Sequence, residues 1–298
     1  MTVLPEAAPP DRALLLVNPH SRRGDAGVDA VIARLEAGGV RVLKDTFSAP
    51  GEVEADILRR AGEVDCVIVC GGDGTLCLAA PGLMSTGLPL GIIPTGTAND
   101  LARTLGIPGS LDAAADVILA GRRRRIDLGT VNGKPFFNVA SIGLSADLAE
   151  ALTTGLKRRW GRAGYALAAI RVLARARRFT AWIAENGAIT RTRTIQIAVG
   201  NGRFYGGGTV VEESARIDDG HLDLYSLEMR NVWKLAVMLR TFRSGMHGAW
   251  TDVRTARGTE FEISTRGPRP VNADGELITE TPAHFKCHPE AVTVFVPG

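Results

Sequence analysis

The chain has 298 residues, 45% of them hydrophobic and 35 of them glycine, with a formal net charge of +3. That length accommodates two ordinary domains, and the composition is that of a folded, turn-rich chain, not a disordered or fibrous one. The small charge gives basic residues significance only where they cluster, and no nucleic-acid partner is expected.

Residues 1–11 read as a flexible lead. Met1 to Pro10 is Pro/Ala-rich, with neither the basic nor the apolar region of a signal peptide. No apolar run approaches the roughly 20 residues of a membrane-spanning helix, so a cytoplasmic protein, soluble or peripherally bound, is expected. Ala13 to Val17 is a buried strand ending at Asn18-Pro19. Val28 to Ala37 is an amphipathic helix closed by Gly38-Gly39. Val40 to Thr46 is a second strand and Val53 to Ala61 a second helix. Val64 to Cys70 is a β-branched strand that runs into Gly71-Gly72-Asp73-Gly74-Thr75, and an apolar helix opens at Leu76. Leu88 to Ile93 is the next strand. This alternation predicts a parallel α/β domain over residues 12–125.

Beyond Arg125 the texture changes. Short strands separated by Gly-rich turns are predicted at Ile126–Val131, Pro135–Ala140, Thr180–Glu185, Thr194–Val199, Leu222–Leu227, Thr259–Ser264 and Ala291–Val296. They point to a β-rich, sandwich-like domain over residues 126–298, interrupted by helical stretches near 146–178 and 231–245. The basic run Arg122 to Arg125 at the seam reads either as a linker or as a solvated helix end. Cys66, Cys70, Cys77 and Cys287 lack paired CxxC spacing. They read as small core residues in a reducing compartment, not as zinc ligands or disulfides.

The glycine run is the strongest chemical signal. Glycines between a strand and a helix let backbone N–H groups approach a phosphate. A carboxylate there, Asp73, suits a metal–nucleotide complex, because Mg²⁺ would separate it from the phosphates. The other reading is a tight turn whose Asp caps a helix. Pro94 to Asp100, with Thr97 and Asn99, is a second glycine turn opening a helix at the same sheet edge, where open α/β sheets bind ligands. Arg216-Ile217-Asp218-Asp219-Gly220-His221 reads as a hairpin turn or as part of an oxygen-ligand metal site. Asn272-Ala273-Asp274-Gly275-Glu276 places two carboxylates around a glycine, where one could take a proton from an acceptor hydroxyl.

Asn18-Pro19-x-Ser21, the Gly71–Thr75 run, Pro94–Asp100, the Asp218-Asp219-Gly220 turn and Asp274-Gly275-Glu276 stand in the order and approximate spacing of diacylglycerol-kinase-like lipid kinases. The chain resembles the soluble bacterial branch of that family, related to sphingosine and ceramide kinases, from about residue 12 to its end. The segment Phe137 to Gly143 is included. The resemblance implies an α/β nucleotide domain like those of NAD kinases and diacylglycerol kinases, a β-rich lipid domain and an active site between them. It implies ATP as co-substrate at Asn18, Ser21, Thr46, Gly71, Gly72, Asp73, Gly74, Thr75, Thr97 and Asn99. A structural Mg²⁺ is implied at Asp219 with the carbonyls of Arg216 and His221. Glu276 is implied as proton acceptor, with Asp274 beside it as a second catalytic candidate. A lipid is the implied substrate. Two positions depart from the family pattern: Cys77-Leu78 replaces a usual Asn-Glu, and Arg22 a usual Gly.

Leu156 to Phe179 carries eight basic and no acidic residues. Arg171, Arg175 and Arg178 can share one helical face, which suits an anionic membrane surface or, equally, a solvated face over the sandwich. The sequence is compatible with a homodimer. A NAD-kinase-like enzyme and a non-catalytic lipid- or nucleotide-binding relative are the alternative readings. The first lacks an expected Thr-Pro-Thr-Gly-Ser-Thr-Ala-Tyr-like segment, and the second is motivated by Cys77-Leu78.

Overall fold

In the order β2-β1-β3-β4, four parallel strands form one end of a ten-stranded sheet: β1 (Arg12–Val17), β2 (Arg41–Thr46), β3 (Cys66–Gly71) and β4 (Leu90–Pro94). The computed structural model describes residues 8–18, 24–147, 177–202, 204–205, 209–210, 216–229 and 253–298. Every residue of β3 is buried, as befits a strand covered on both faces. Helices α1 (Gly24–Ala37) and α2 (Pro50–Arg60) make the first two crossovers. Proline opens α2, where its missing N–H costs nothing, and the Glu52 carboxylate accepts the N–H groups of Ser48 and Ala49. Because β2 and β3 lie on opposite sides of β1, the sheet switches direction between β1 and β3. Their C-terminal ends therefore frame a crevice.

Helix α3 (Asp73–Thr86) follows β3, while α4 (Asp100–Thr104) and α5 (Leu111–Leu119) follow β4. The chain then enters β5 (Arg123–Val131), β6 (Lys134–Phe136), β7 (Val139–Gly143), β8 (Phe179–Glu185), β9 (Ala188–Thr194), β10 (Gln196–Gly200), the short β11 (Phe204–Tyr205) and β12 (Thr209–Val210), and β13 (Leu222–Leu227). The last strands are β14 (Val253–Gly258), β15 (Glu260–Thr265), β16 (Pro270–Ala273), β17 (Glu276–Glu280) and β18 (Ala283–Phe295). A second, antiparallel sheet runs β14-β13-β10-β7-β16-β17. Its inward residues Ile142, Ile197, Leu224 and Val271 pack on Ala181, Ile183, Phe261 and Phe285 of the larger sheet, which is the expected sandwich.

Three local expectations change. Arg123 to Arg125 are strand residues paired with β18, so the basic run is neither a linker nor a helix end. Pro135–Ala140 is not one strand: the chain breaks at Phe137-Asn138, because their N–H groups turn away to a side chain described below. The final strand starts at Ala283, not at Ala291. A register shift between His288 and Val292 divides it into two parts. The first part packs in the sandwich core, and the second lies parallel to β4 with Val294 opposite Leu90. Residues 156–176 of the basic stretch, the second helical stretch, Ser21 and Arg22 lie outside the described residues. Arg177 and Arg178 are described and lead into β8 without helical structure, so Arg178 does not share the expected helical face.

Candidate active site

The parallel sheet brings four of the expected elements to one edge. In register, Val17 stands opposite both Thr46 and Cys70, and Gly71 opposite Pro94, so the ends of all four strands meet there. The Asn18 N–H donates to the Cys70 carbonyl at 3.2 Å, and its Nδ2 donates to Thr75 Oγ1 at 2.9 Å. The first strand is thereby tied to the helix that follows the glycine run. Thr46 and Thr97 are exposed at this edge.

The two glycine turns pack backbone against backbone. A Cβ on Gly96 would stand 2.5 Å from Gly72 Cα and 2.7 Å from Asn99 Oδ1, so no side chain fits. The Thr95 N–H donates to the Gly71 carbonyl at 3.1 Å. Asn99 adopts a left-handed backbone (φ 51°), which asparagine tolerates better than most residues, and its Nδ2 donates to the Gly96 carbonyl. Asn99 Oδ1 and Thr95 Oγ1 are buried without a hydrogen-bond partner among the described residues. Buried polar atoms are normally paired, so two orphans lining glycine turns mark a surface shaped for a polar ligand.

Asp73 is buried, and its carboxylate accepts the Asp100 N–H at 3.1 Å and the Leu101 N–H at 2.9 Å. It therefore caps a helix, as one sequence reading held, but the helix is α4 and not its own. Both its oxygens are committed to locking the two glycine turns together.

The β16–β17 turn arrives from the other sheet. Asp274 sits at φ 46°, and its carboxylate is buried although the residue as a whole is partly exposed. It accepts N–H groups from Phe137 at 2.7 Å, Asn138 at 3.1 Å and Val139 at 3.0 Å. The Cys77 thiol adds a fourth donor at 3.4 Å. Burial pushes the Asp274 carboxyl up to about 6, against the opposing pull of the backbone donors and with a further push from Asp73. Burial also raises the Cys77 thiol well above its ordinary value, so it is a neutral donor and no nucleophile. Cys77 thus supplies a polar contact where the family pattern has an amide.

Glu276 is exposed, and its Oε1 lies 2.6 Å from where a Cβ on Gly74 would stand. The glycine run and a carboxylate two hundred residues later are therefore in direct contact, and Gly74 makes room for it. Sequence reasoning missed Thr95, Cys77 and Asn138 as site residues. Asn138 Nδ2 is likewise buried without a partner among the described residues, and Thr104 Oγ1 donates to its Oδ1 at 3.5 Å. The available signal was its place in the Phe137–Gly143 segment.

The Asp218-Asp219-Gly220 turn stands apart from these residues. Gly220 N–H and Glu290 N–H donate to the two oxygens of Asp127 at 2.6 and 2.8 Å, and Arg124 holds Asp218. Burial raises the Asp127 carboxyl. Asp218 is lowered, because its Arg124 and Arg216 contacts outweigh the opposing effect of burial. Asp219 Oδ1 accepts the His221 N–H at 3.1 Å, and its Oδ2 pairs with Arg257 at 2.6 Å. A resident Mg²⁺ does not fit this arrangement as it stands. The single carboxylate expected to hold it already carries a guanidinium, which would repel a cation bound to the same oxygen. At the glycine turns the Asp274 carboxylate is filled by four donors, whereas Asp73 accepts two N–H groups and keeps a lone pair on each oxygen. Among the described residues no group of three His, Cys, Asp or Glu side chains is placed to hold a metal.

The diacylglycerol kinase catalytic domain matches residues 12–131, and the YegS C-terminal NAD kinase beta sandwich-like domain matches residues 138–296. The chain is 33% identical to "Diacylglycerol kinase" of Mycobacterium tuberculosis, covering 95% of this chain and 94% of the relative. The chain belongs to the diacylglycerol kinase-like family of lipid kinases. Within this family it is also 33% identical to "Probable lipid kinase YegS-like" of Pseudomonas aeruginosa, covering 97% of this chain and 95% of the relative. A solved structure titled "putative diacylglycerol kinase", from Bacillus anthracis, matches with a TM-score of 0.84 at 26% identity, covering 98% and 97% of the two chains. No helix among the described residues is long and apolar enough to cross a membrane.

Proposed function

We propose that this lipid kinase transfers the γ-phosphate of Mg·ATP to a hydroxyl of a lipid such as diacylglycerol, working peripherally on an anionic cytoplasmic membrane surface. The observation that carries the reading is the contact between Glu276 and Gly74. It sets an exposed carboxylate beside N–H groups suited to phosphate, and phosphoryl transfer needs both. Mg²⁺ enters with the nucleotide as part of the substrate.

The chain's own groups then divide the work. The glycine-turn N–H groups, Asn18, Thr75, Thr97 and Asn99 receive the phosphates and offset the charge that develops on them. The acceptor oxygen attacks the γ-phosphorus as the bond to the β–γ bridging oxygen breaks, and the hydroxyl proton passes to Glu276. Asp274 acts as a positioning residue. With four donors on its oxygens it has no capacity left as a base, and it fixes the turn on which Glu276 stands.

Incubation of the protein with [γ-³²P]ATP and a total lipid extract, followed by identification of the labelled species, tests the proposal. Label on a neutral lipid alcohol such as diacylglycerol is expected. Label on no lipid, or on NAD⁺ supplied in parallel, would overturn it.

A further inference from the structure

Strand β16 has a second end. Beyond Pro270, on the side away from Asp274, lies a surface cavity of about 540 Å³ lined in part by Arg178, Phe179, Thr180, Arg193, Arg266 and Arg269. Four arginines line it and no acidic residue does. None of the four pairs with an acidic side chain among the described residues. By strand rise it stands roughly 15 Å from the Asp274 turn, so it is a separate site and not an extension of the nucleotide edge.

The arginines come from three segments, the lead into β8, β9 and the β15–β16 connection, and two of them are held in place. Arg178 Nε and Nη2 donate to the Arg193 carbonyl at 3.1 and 2.7 Å. The Arg269 guanidinium lies over the Phe179 ring at 4.1 Å from its centroid, a cation–π contact that orients it. Thr180 stands directly opposite Arg193 in the β8–β9 register and brings a hydroxyl to the same wall. Arg193 and Arg266 are exposed.

Gathering four like charges around one cavity costs free energy that a multiply charged anion bound between them would recover. Planar guanidinium forks match the oxygen geometry of phosphate, and the Arg269 fork, already oriented over Phe179, reduces the ordering cost of binding it. We propose that this cavity binds a phosphate-bearing anion, supplied by a phospholipid headgroup or by a free phosphate ester. The site is independent of whether Glu276 is the catalytic base.

The test uses the full chain and Arg193→Gln/Arg266→Gln, which removes the two exposed guanidiniums, neither of which donates a hydrogen bond to another described residue. Arg12→Gln/Arg41→Gln, at the opposite end of the molecule, is the control for net charge. Binding is measured to vesicles of phosphatidylcholine with and without phosphatidylglycerol, and separately to glycerol phosphate and inorganic phosphate. The wild type is expected to bind in at least one arm, the cavity variant at least tenfold more weakly, and the control as the wild type. Binding confined to phosphatidylglycerol vesicles assigns the site to a lipid headgroup, and binding in the soluble arm assigns it to a free ester. Failure of the wild type to bind in every arm, or equal losses in cavity variant and control, would overturn the proposal.

Discussion

The glycine-turn edge of the parallel sheet and the β16–β17 turn both fix a buried carboxylate with backbone N–H groups, but they reach the site by different routes. Asp73 belongs to a strand–loop–helix unit whose parts are neighbours in sequence, and it clamps α4, only 27 residues on. Asp274 clamps a segment 137 residues earlier in the chain. The first region is locally encoded and closely packed. The second is assembled only when the sandwich closes, and it delivers Glu276, an exposed carboxylate that touches the first. On the proposed reading, preorganisation at the nucleotide edge and delivery of a proton acceptor fall to different parts of the fold.

That division can be broken from either side. Asp73→Ala leaves the Asp100 and Leu101 N–H groups without their acceptor, so it should cost about 2 kcal/mol or more of stability as well as activity. Chemical denaturation alongside transfer assays checks this. A stability equal to the wild type would show that the clamp is not structural. Gly74→Ala probes the contact between the regions. Its Cβ must displace Glu276, the end of a mobile side chain, so transfer should fall roughly tenfold while the melting temperature barely moves. A parallel loss of stability would place the damage within the glycine run instead.

The pH profile sharpens the contrast further. With the Asp274 carboxyl at about 6, the ionised form that accepts three N–H groups is lost as pH falls through that value. An acidic limb of kcat/KM near pH 6 is expected, and Asp274→Asn should lower the rate and remove that limb. Stability has the opposite sign. A carboxyl raised on folding favours the native state below its unfolded value near 3.8, and this contribution is lost as pH rises from there through about 6. A limb unchanged in Asp274→Asn would assign it to another group.

Much of the nucleotide edge was legible in the sequence because its rules are local. A fully apolar strand, a glycine run and an apolar helix stand side by side, and α/β topology does the rest. The sandwich was legible as a class but not in its pairing. Strand β14 and the turn strands β16 and β17 carry too little alternation to declare themselves. The length of β18 depends on two different cores, one on each side of its register shift. Asp73 illustrates the remaining limit. Its residue type fitted both a phosphate site and a helix cap, and the cap it makes is on α4, a partner that only the fold brings to it. Cys77 looked like the loss of a polar group, and its thiol regains one because Asp274 lies within reach. The metal reading of Asp219 could not foresee Arg257, which arrives from β14.

The central claim is that Glu276 accepts the proton, while the glycine turns hold the nucleotide without its help. Equilibrium ATP binding and single-turnover transfer to diacylglycerol, measured on Glu276→Gln against the wild type, test it most directly. The account predicts unchanged nucleotide affinity with transfer slowed by roughly 10²–10⁴-fold, the range for loss of a general base. Transfer at a near-wild-type rate would contradict it.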